Sequence, residues 1–269
     1  YKRQPYSGSS KKSTEVAKMM SKEAIPATLH RQLVLSPNLD SSLDGSALPK
    51  LIQKITNTDG RIQEEPYFLS DNTPVIRAII PSSSLIRYEN DPAIYRLEVT
   101  DFFSVDASSG DAIDLSEFTL VEGFRIDELP AVVVLDSGVS FPDGLSSIVS
   151  HHWLPTGSSG GNTDHGTKVA SRVSFRYLER QLPSTTVTPR ARIIDCNILD
   201  GSVPVNIFIR RIQEAVNTFS DVAKIYNLSA NANSPIEGDE MSIVGYELDI
   251  LQLHKEVQFV ISAGNHNLW

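Results

Sequence analysis

The sequence predicts an α/β protein, a doubly wound and mostly parallel sheet preceded by a small α+β domain. Three observations carry that expectation. After Pro130, short apolar runs alternate with segments of helical periodicity, the pattern of strands joined by right-handed crossovers. Before Asp101 the apolar residues fall into fewer and more mixed elements. Between them, residues 101–128 hold eight carboxylates and one arginine, so 1 − 8 = −7 of the chain's net charge of −9 lies in one acidic stretch.

Residues 1–25 carry six Lys or Arg against two Glu and read as a basic, flexible tail. Residues 26–100 form the α+β unit. Within it Leu48, Leu51, Ile52 and Ile55 have helical spacing, Pro74–Pro81 is an apolar run bounded by prolines that suits a strand, and Tyr95, Leu97 and Val99 alternate with Arg96 and Glu98 as in a half-buried strand. Residues 101–128 read as an acidic, partly packed linker with the domain boundary near residue 125. From 129 to 269, Ala131–Leu135 is continuously apolar, as in a parallel strand buried on both faces. Strands are then expected at 192–198, 223–229 and 257–262, and helices at 166–182, 205–219 and 241–253.

Composition narrows the function. No apolar run approaches the roughly 18–20 residues that span a bilayer. The single cysteine, Cys196, excludes an internal disulfide framework and a cysteine-based zinc site, and reads as a small buried apolar residue. Thirty-three acidic against 24 basic side chains argue against a nucleic-acid partner. The chain opens on Tyr1 and not Met, which is compatible with a leader already removed; the lone cysteine favours a reducing compartment, so the expected location is cytoplasmic with secretion as the alternative. His151-His152 has no third ligand at useful spacing, no acidic loop has calcium-ligand spacing, and no phosphate-cradling glycine fingerprint follows a strand. No metal and no cofactor is expected. Asn227-Leu-Ser229 fits the glycosylation pattern but falls in an expected core strand.

In a sheet of this kind functional groups gather at the carboxyl ends of the strands, and three segments fall there. Asp136-Ser-Gly138 follows the first apolar strand; its carboxylate is placed to hold an imidazole, and the same triplet also reads as a simple turn. Asp164-His-Gly-Thr-Lys-Val-Ala170 opens a helix after the Gly- and Ser-rich loop 157–161. His165 there is a general-base candidate, although a lone histidine at a helix start is commonly a cap or a surface residue. Ser262-Ala-Gly-Asn265 closes the last strand, where Asn265 is either an oxyanion donor or part of a strand-end turn.

The order and spacing of these boxes over residues 130–269 resemble the subtilisin-like serine proteases (subtilases), which carry Asp, His and Ser in that chain order. The resemblance implies that Asp136 orients His165, that His165 is the base and later the acid, and that Asn265 supplies an oxyanion donor. It also implies that Ser229, Ala230 and Asn231 end a strand that pairs with the bound peptide. Leu199-Asp200-Gly201-Ser202 would form the opposite rim, an extended peptide adding as a strand between the two. The expected partner is therefore a polypeptide substrate, with the chain's own N-terminal domain as a candidate inhibitor; that domain reads equally as a pro-segment or as a regulatory unit.

Several residues depart from the pattern. Asp164 replaces the glycine often found before the histidine, and its charge favours the protonated ring and a higher pH optimum. Ala230-Asn231 stands where Leu-Gly is usual. No Gly-Thr-Ser nucleophile box occurs in the 269 residues. The expectation is thus a subtilase fragment lacking its C-terminal third, part of a serine endopeptidase when full length and inactive alone. The competing readings are a catalytically silent peptide-binding relative and an unrelated doubly wound ligand-binding domain.

Overall fold

The computed structural model describes residues 25–36, 47–105, 113–178, 184–232 and 241–262. Residues 1–24 of the basic tail, and Asn265, lie outside them. The chain divides into two compact units, Tyr1–Thr100 and Asp101–Trp269. The division falls at the start of the acidic stretch and not near residue 125, because Phe102–Ser104 and Thr119–Leu120 pair with strands of the second unit.

The first unit contains strand β1 (Thr28–Leu35), helix α1 (Ala47–Asn57), short strands β2 (Arg61–Ile62) and β3 (Tyr67–Phe68), strand β4 (Pro74–Pro81), helix α2 (Leu85–Glu89) and strand β5 (Ile94–Val99). The strands form an antiparallel sheet in the order β2-β4-β1-β5, with β3 also on β4. Leu33 and Leu35 of β1 and Ile76 and Ile80 of β4 share one core with Leu51 and Ile55 of α1. The sequence reading found α1, β4 and β5 but gave no strand over 28–35. The polar run His30-Arg31-Gln32 hides it: Gln32 is fully buried all the same, accepting a hydrogen bond from the Tyr67 hydroxyl at 2.6 Å.

The second unit is built on a parallel sheet. Its elements in order are β6 (Phe102–Ser104), β7 (Thr119–Leu120), β8 (Ala131–Asp136), α3 (Asp143–Ser146), β9 (Val149–Trp153), α4 (Asp164–Phe175), β10 (Thr186–Val187) and β11 (Arg192–Asn197). They continue with β12 (Val203–Pro204), α5 (Val205–Phe219), β13 (Ile225–Leu228), β14 (Asn231–Ala232), α6 (Ile243–Lys255) and β15 (Gln258–Ile261). The main sheet runs β15-β13-β8-β11-β9, every neighbouring pair parallel. Val133, Val134 and Leu135 of its middle strand are completely buried, each side chain contributing about 1.5–3 kcal/mol. From β8 the chain winds to β9 at one edge, returns to β11 beside β8, then crosses to β13 and β15 on the other side. The winding therefore changes direction at β8, and a crevice opens at that strand's carboxyl end.

Helix α4 packs Ala170 against Val134 and Ile193 of the sheet. It stops at Phe175, well short of the expected residue 182. Arg176 takes φ 62°, and the carbonyl and hydroxyl of Ser174 are engaged by Arg190 and Ala191 on the approach to β11. Leu178, within the expected helical span, is buried instead in a side cluster with Phe118, Ile148 and Val187. Helix α6 starts where Ser242 accepts a hydrogen bond from the Gly245 amide, a standard N-cap. Strand β9 had no counterpart in the sequence reading, because Val-Ser-His-His-Trp at a sheet edge is half polar.

Candidate active site

Asp136 is the last residue of β8 and has no solvent exposure. Its carbonyl accepts the Ile198 and Leu199 amides at 2.8 and 3.1 Å, which pins the end of β8 to the chain leaving β11. Its Oδ1 accepts the Ser137 amide at 2.7 Å, so the carboxylate itself is held. His165 is the second residue of α4, and its Nδ1 lies 2.8 Å from Oδ1 and 3.0 Å from Oδ2 of Asp136. A carboxylate only accepts, so Nδ1 is the donor and Nε2 becomes the basic nitrogen of the ring.

The glycines around this pair set its geometry. A Cβ on Gly166 would stand 2.2 Å from the Gly138 carbonyl oxygen, and one on Gly161 would stand 2.2 Å from the Leu199 oxygen. Only with glycine at 166 can the first turn of α4 rest on the loop after β8, and that contact brings the imidazole within reach of the carboxylate. The requirement is backbone approach, beyond the steric room around the ring that the sequence suggests. Gly138 takes φ +105°, and Asn197 at the end of β11 accepts the Gly161 amide at 3.1 Å, drawing the glycine-rich loop over the same edge.

The two expected rims lie at the carboxyl ends of β11 and β13, the strands flanking β8. Asp200 is tied down by Arg211, which makes two bonds to it of 2.7 and 3.0 Å, and by the Ser158 hydroxyl at 2.9 Å. The Arg211 guanidinium draws its carboxyl down to about 2. The carboxylate of Asp200 is thus engaged within the fold. Gly201 takes φ +121° in open space. On the other rim the Ser229 hydroxyl donates to Asn227, Ala230 is half-buried, and Asn231 begins β14.

A strand of the chain itself lies between the rims. β6 pairs antiparallel with β12 on one side and with β14 on the other. Phe-Phe-Ser inside an acidic stretch gave no strand signal by itself. Away from the site, His152 at the sheet edge pairs with Asp195, and no group of three metal-ligating side chains occurs among the described residues. Cys196 is buried and its thiol is pushed well up by desolvation, in keeping with a packing role.

The described fold, a parallel sheet with helices and an Asp–His pair at the carboxyl end of its middle strand, is consistent with a subtilisin-like α/β scaffold. The family model of the Subtilase family matches residues 128–268, just over half of the 269-residue chain, and the chain belongs to that family. Its domain is thus of the serine-peptidase type, whose substrates are polypeptides. No curated protein matches the chain. Among the described residues, no helix is long and apolar enough to cross a membrane.

Proposed function

We propose that Asp136 and His165 are the proton-handling part of a serine endopeptidase site whose nucleophilic serine lies outside these 269 residues, and that its substrate is exposed, extended polypeptide. The observation that carries this reading is the hydrogen bond of a wholly buried carboxylate to Nδ1 of an imidazole that keeps about a fifth of its side chain exposed. In the proposed reaction Nε2 of His165 takes the hydroxyl proton as the serine oxygen attacks the peptide carbonyl. It then gives that proton to the departing amine, leaving an acyl-enzyme that water hydrolyses by the reverse roles. Asp136 holds the ring and stabilises the imidazolium. Asn265 is proposed to donate its carboxamide to the oxyanion. Without a serine an oriented base has little to activate, so the 269 residues alone are expected not to cleave peptides.

The test is made in the serine-bearing polypeptide. His165→Ala should lower kcat by about 10⁴-fold or more with an unchanged melting temperature; unchanged turnover overturns the role of His165. The missing Gly-Thr-Ser box favours a second reading, a peptide-binding relative without catalysis. A fluorophosphonate probe separates the two: labelling of a serine that is lost in His165→Ala supports the protease, and absence of labelling in the wild type supports the binding module.

A further inference from the structure

The loop that leaves β8 decides where α4 sits. The Gly138 carbonyl is the seat of that helix's first turn: a Cβ on Gly166 would stand 2.2 Å from its oxygen. The carbonyl of Gly138 and the amide of Val139 belong to one peptide plane, and in the usual trans form they point in opposite directions. Whatever holds the amide therefore aims the carbonyl. The Val139 amide donates to Oδ2 of Asp195 at 3.1 Å. Asp195 stands in β11 opposite Val134, two residues before Asp136, so the hold is rooted in the sheet and not in the helix that it seats. One residue further along the loop, the Ser140 amide donates to the Thr167 hydroxyl of α4 at 2.9 Å.

Glycine does not supply such a hold by itself. Gly138 takes φ +105°, a conformation that glycine permits but does not enforce. Turned over, the peptide after it would face its carbonyl oxygen to the Asp195 carboxylate and take the seat away from Gly166. Packing alone is a poor account of an aspartate at this place. Its side chain is 5% exposed, and its Oδ1 is buried with no hydrogen-bond partner, which is unfavourable. Its histidine partner, His152, is largely in water, where an ion pair adds little. The bond to Val139 is the contact that Asp195 makes toward the site.

Building on the endopeptidase reading, we infer that Asp195 is a positioning residue for the reaction: by holding the Val139 amide it aims the Gly138 carbonyl at α4, and so keeps the His165 imidazole against Asp136. The hold needs an acceptor and not a charge, since an amide donates to a carboxamide oxygen as well as to a carboxylate. Asp195 touches no reacting atom and acts through the loop and the helix. A misplacement of about 1 Å in a catalytic group can lower a rate by about 100-fold, so a small shift of the seat is enough to matter.

Two measurements test this, and the first needs no serine. In proton NMR of the 269-residue chain, the low-field Nδ1 proton of His165 should be present in the wild type and in Asp195→Asn. It should be lost or moved upfield in Asp195→Ala. Asp195→Leu fills the space and accepts nothing, so it should match Asp195→Ala even where the smaller side chain loosens the fold. His152→Ala, which leaves the Val139 bond in place, should match the wild type. In the serine-bearing polypeptide, Asp195→Ala should lower kcat by about thirtyfold with KM within about twofold, and Asp195→Asn should restore kcat to within about threefold of wild type. An unchanged His165 proton in both Asp195→Ala and Asp195→Leu overturns the inference. So does an Asp195→Asn chain as impaired as Asp195→Ala. A wild-type serine-bearing polypeptide that turns over no peptide sinks the protease reading instead, and leaves the NMR comparison to decide the role of Asp195.

Discussion

Two aspartate–histidine pairs sit on the same parallel sheet, and they differ in almost every respect that governs chemistry. At the carboxyl end of β8, Asp136 is wholly buried and His165 is only 21% exposed in its side chain, with the imidazole on a helix whose first turn is pressed onto the loop after the strand. At the edge, Asp195 is nearly buried but His152 is 63% exposed and sits on the outermost strand. Both Nδ1–carboxylate distances are short, 2.8 and 2.9 Å. A hydrogen bond between the right residue types is therefore not enough to make a site. The first pair lies at the carboxyl end of the middle strand where the winding changes direction, between the ends of β11 and β13; in the second only the histidine is turned to water.

The second pair also has another duty. Oδ2 of Asp195 accepts the Val139 amide at 3.1 Å, three residues after Asp136, so this carboxylate steadies the loop that leaves β8. Its Oδ1 is buried without a hydrogen-bond partner, and desolvation raises its pKa above the usual aspartate value despite the histidine beside it.

The contrast can be broken most sharply by activity. In the serine-bearing polypeptide, Asp136→Asn should lower kcat by about 10⁴-fold, since an amide stabilises the wrong ring tautomer, whereas His152→Ala should leave kcat within about threefold. Steady-state kinetics on an unstructured protein substrate decides it, and a large loss from His152→Ala would erase the distinction between the pairs. The packing beneath the first pair comes next. Gly166→Ala drives a methyl into the Gly138 carbonyl and should cost about 1–3 kcal/mol in urea unfolding, with the histidine displaced from Asp136.

Asp200→Asn tests the rim. It strips a nearly buried Arg211 of its anionic partner, leaving the Ile198 carbonyl, and should cost about 1.5–3 kcal/mol. Because the folded pKa of Asp200 is lowered from 3.8 to about 2, its stabilising contribution is complete above the unfolded value and is lost as pH falls through that interval. The difference between wild type and variant, measured by unfolding, should shrink over the same range. The smallest effect is expected at the edge pair. The raised pKa of Asp195 means the fold favours its protonated form, so its contribution is fully present below the unfolded value and is lost as pH rises through the folded one. Asp195→Asn keeps an acceptor for Val139 and removes that penalty. Its melting temperature should exceed wild type by a few degrees at about pH 8, with the advantage fading in acid.

The candidate site was legible where chemistry is written into short strings. Asp136 after five apolar residues, and His165 followed by glycine, stand out locally, and the structure joins them. The strands that frame them were less legible. β9 alternates poorly because an edge strand has one wet side, and β1 carries polar residues that are buried through tertiary hydrogen bonds. The sequence offered Leu199–Ser202 and Ser229–Asn231 as rims only through family likeness, and gave no sign that the carboxylate of Asp200 is already spent on Arg211.

Residue order alone determined the parallel sheet, its buried middle strand and the candidacy of Asp136 and His165, because periodicity, strand-end position and local motif are properties of neighbours along the chain. Only the tertiary structure decided that His152 meets Asp195 at the sheet edge, why residue 166 must be glycine, and that Phe102–Ser104 pairs between β12 and β14 with Phe103 on Phe208. Each of those depends on groups far apart in sequence approaching within a few ångströms, and such approach is set by packing of the whole unit.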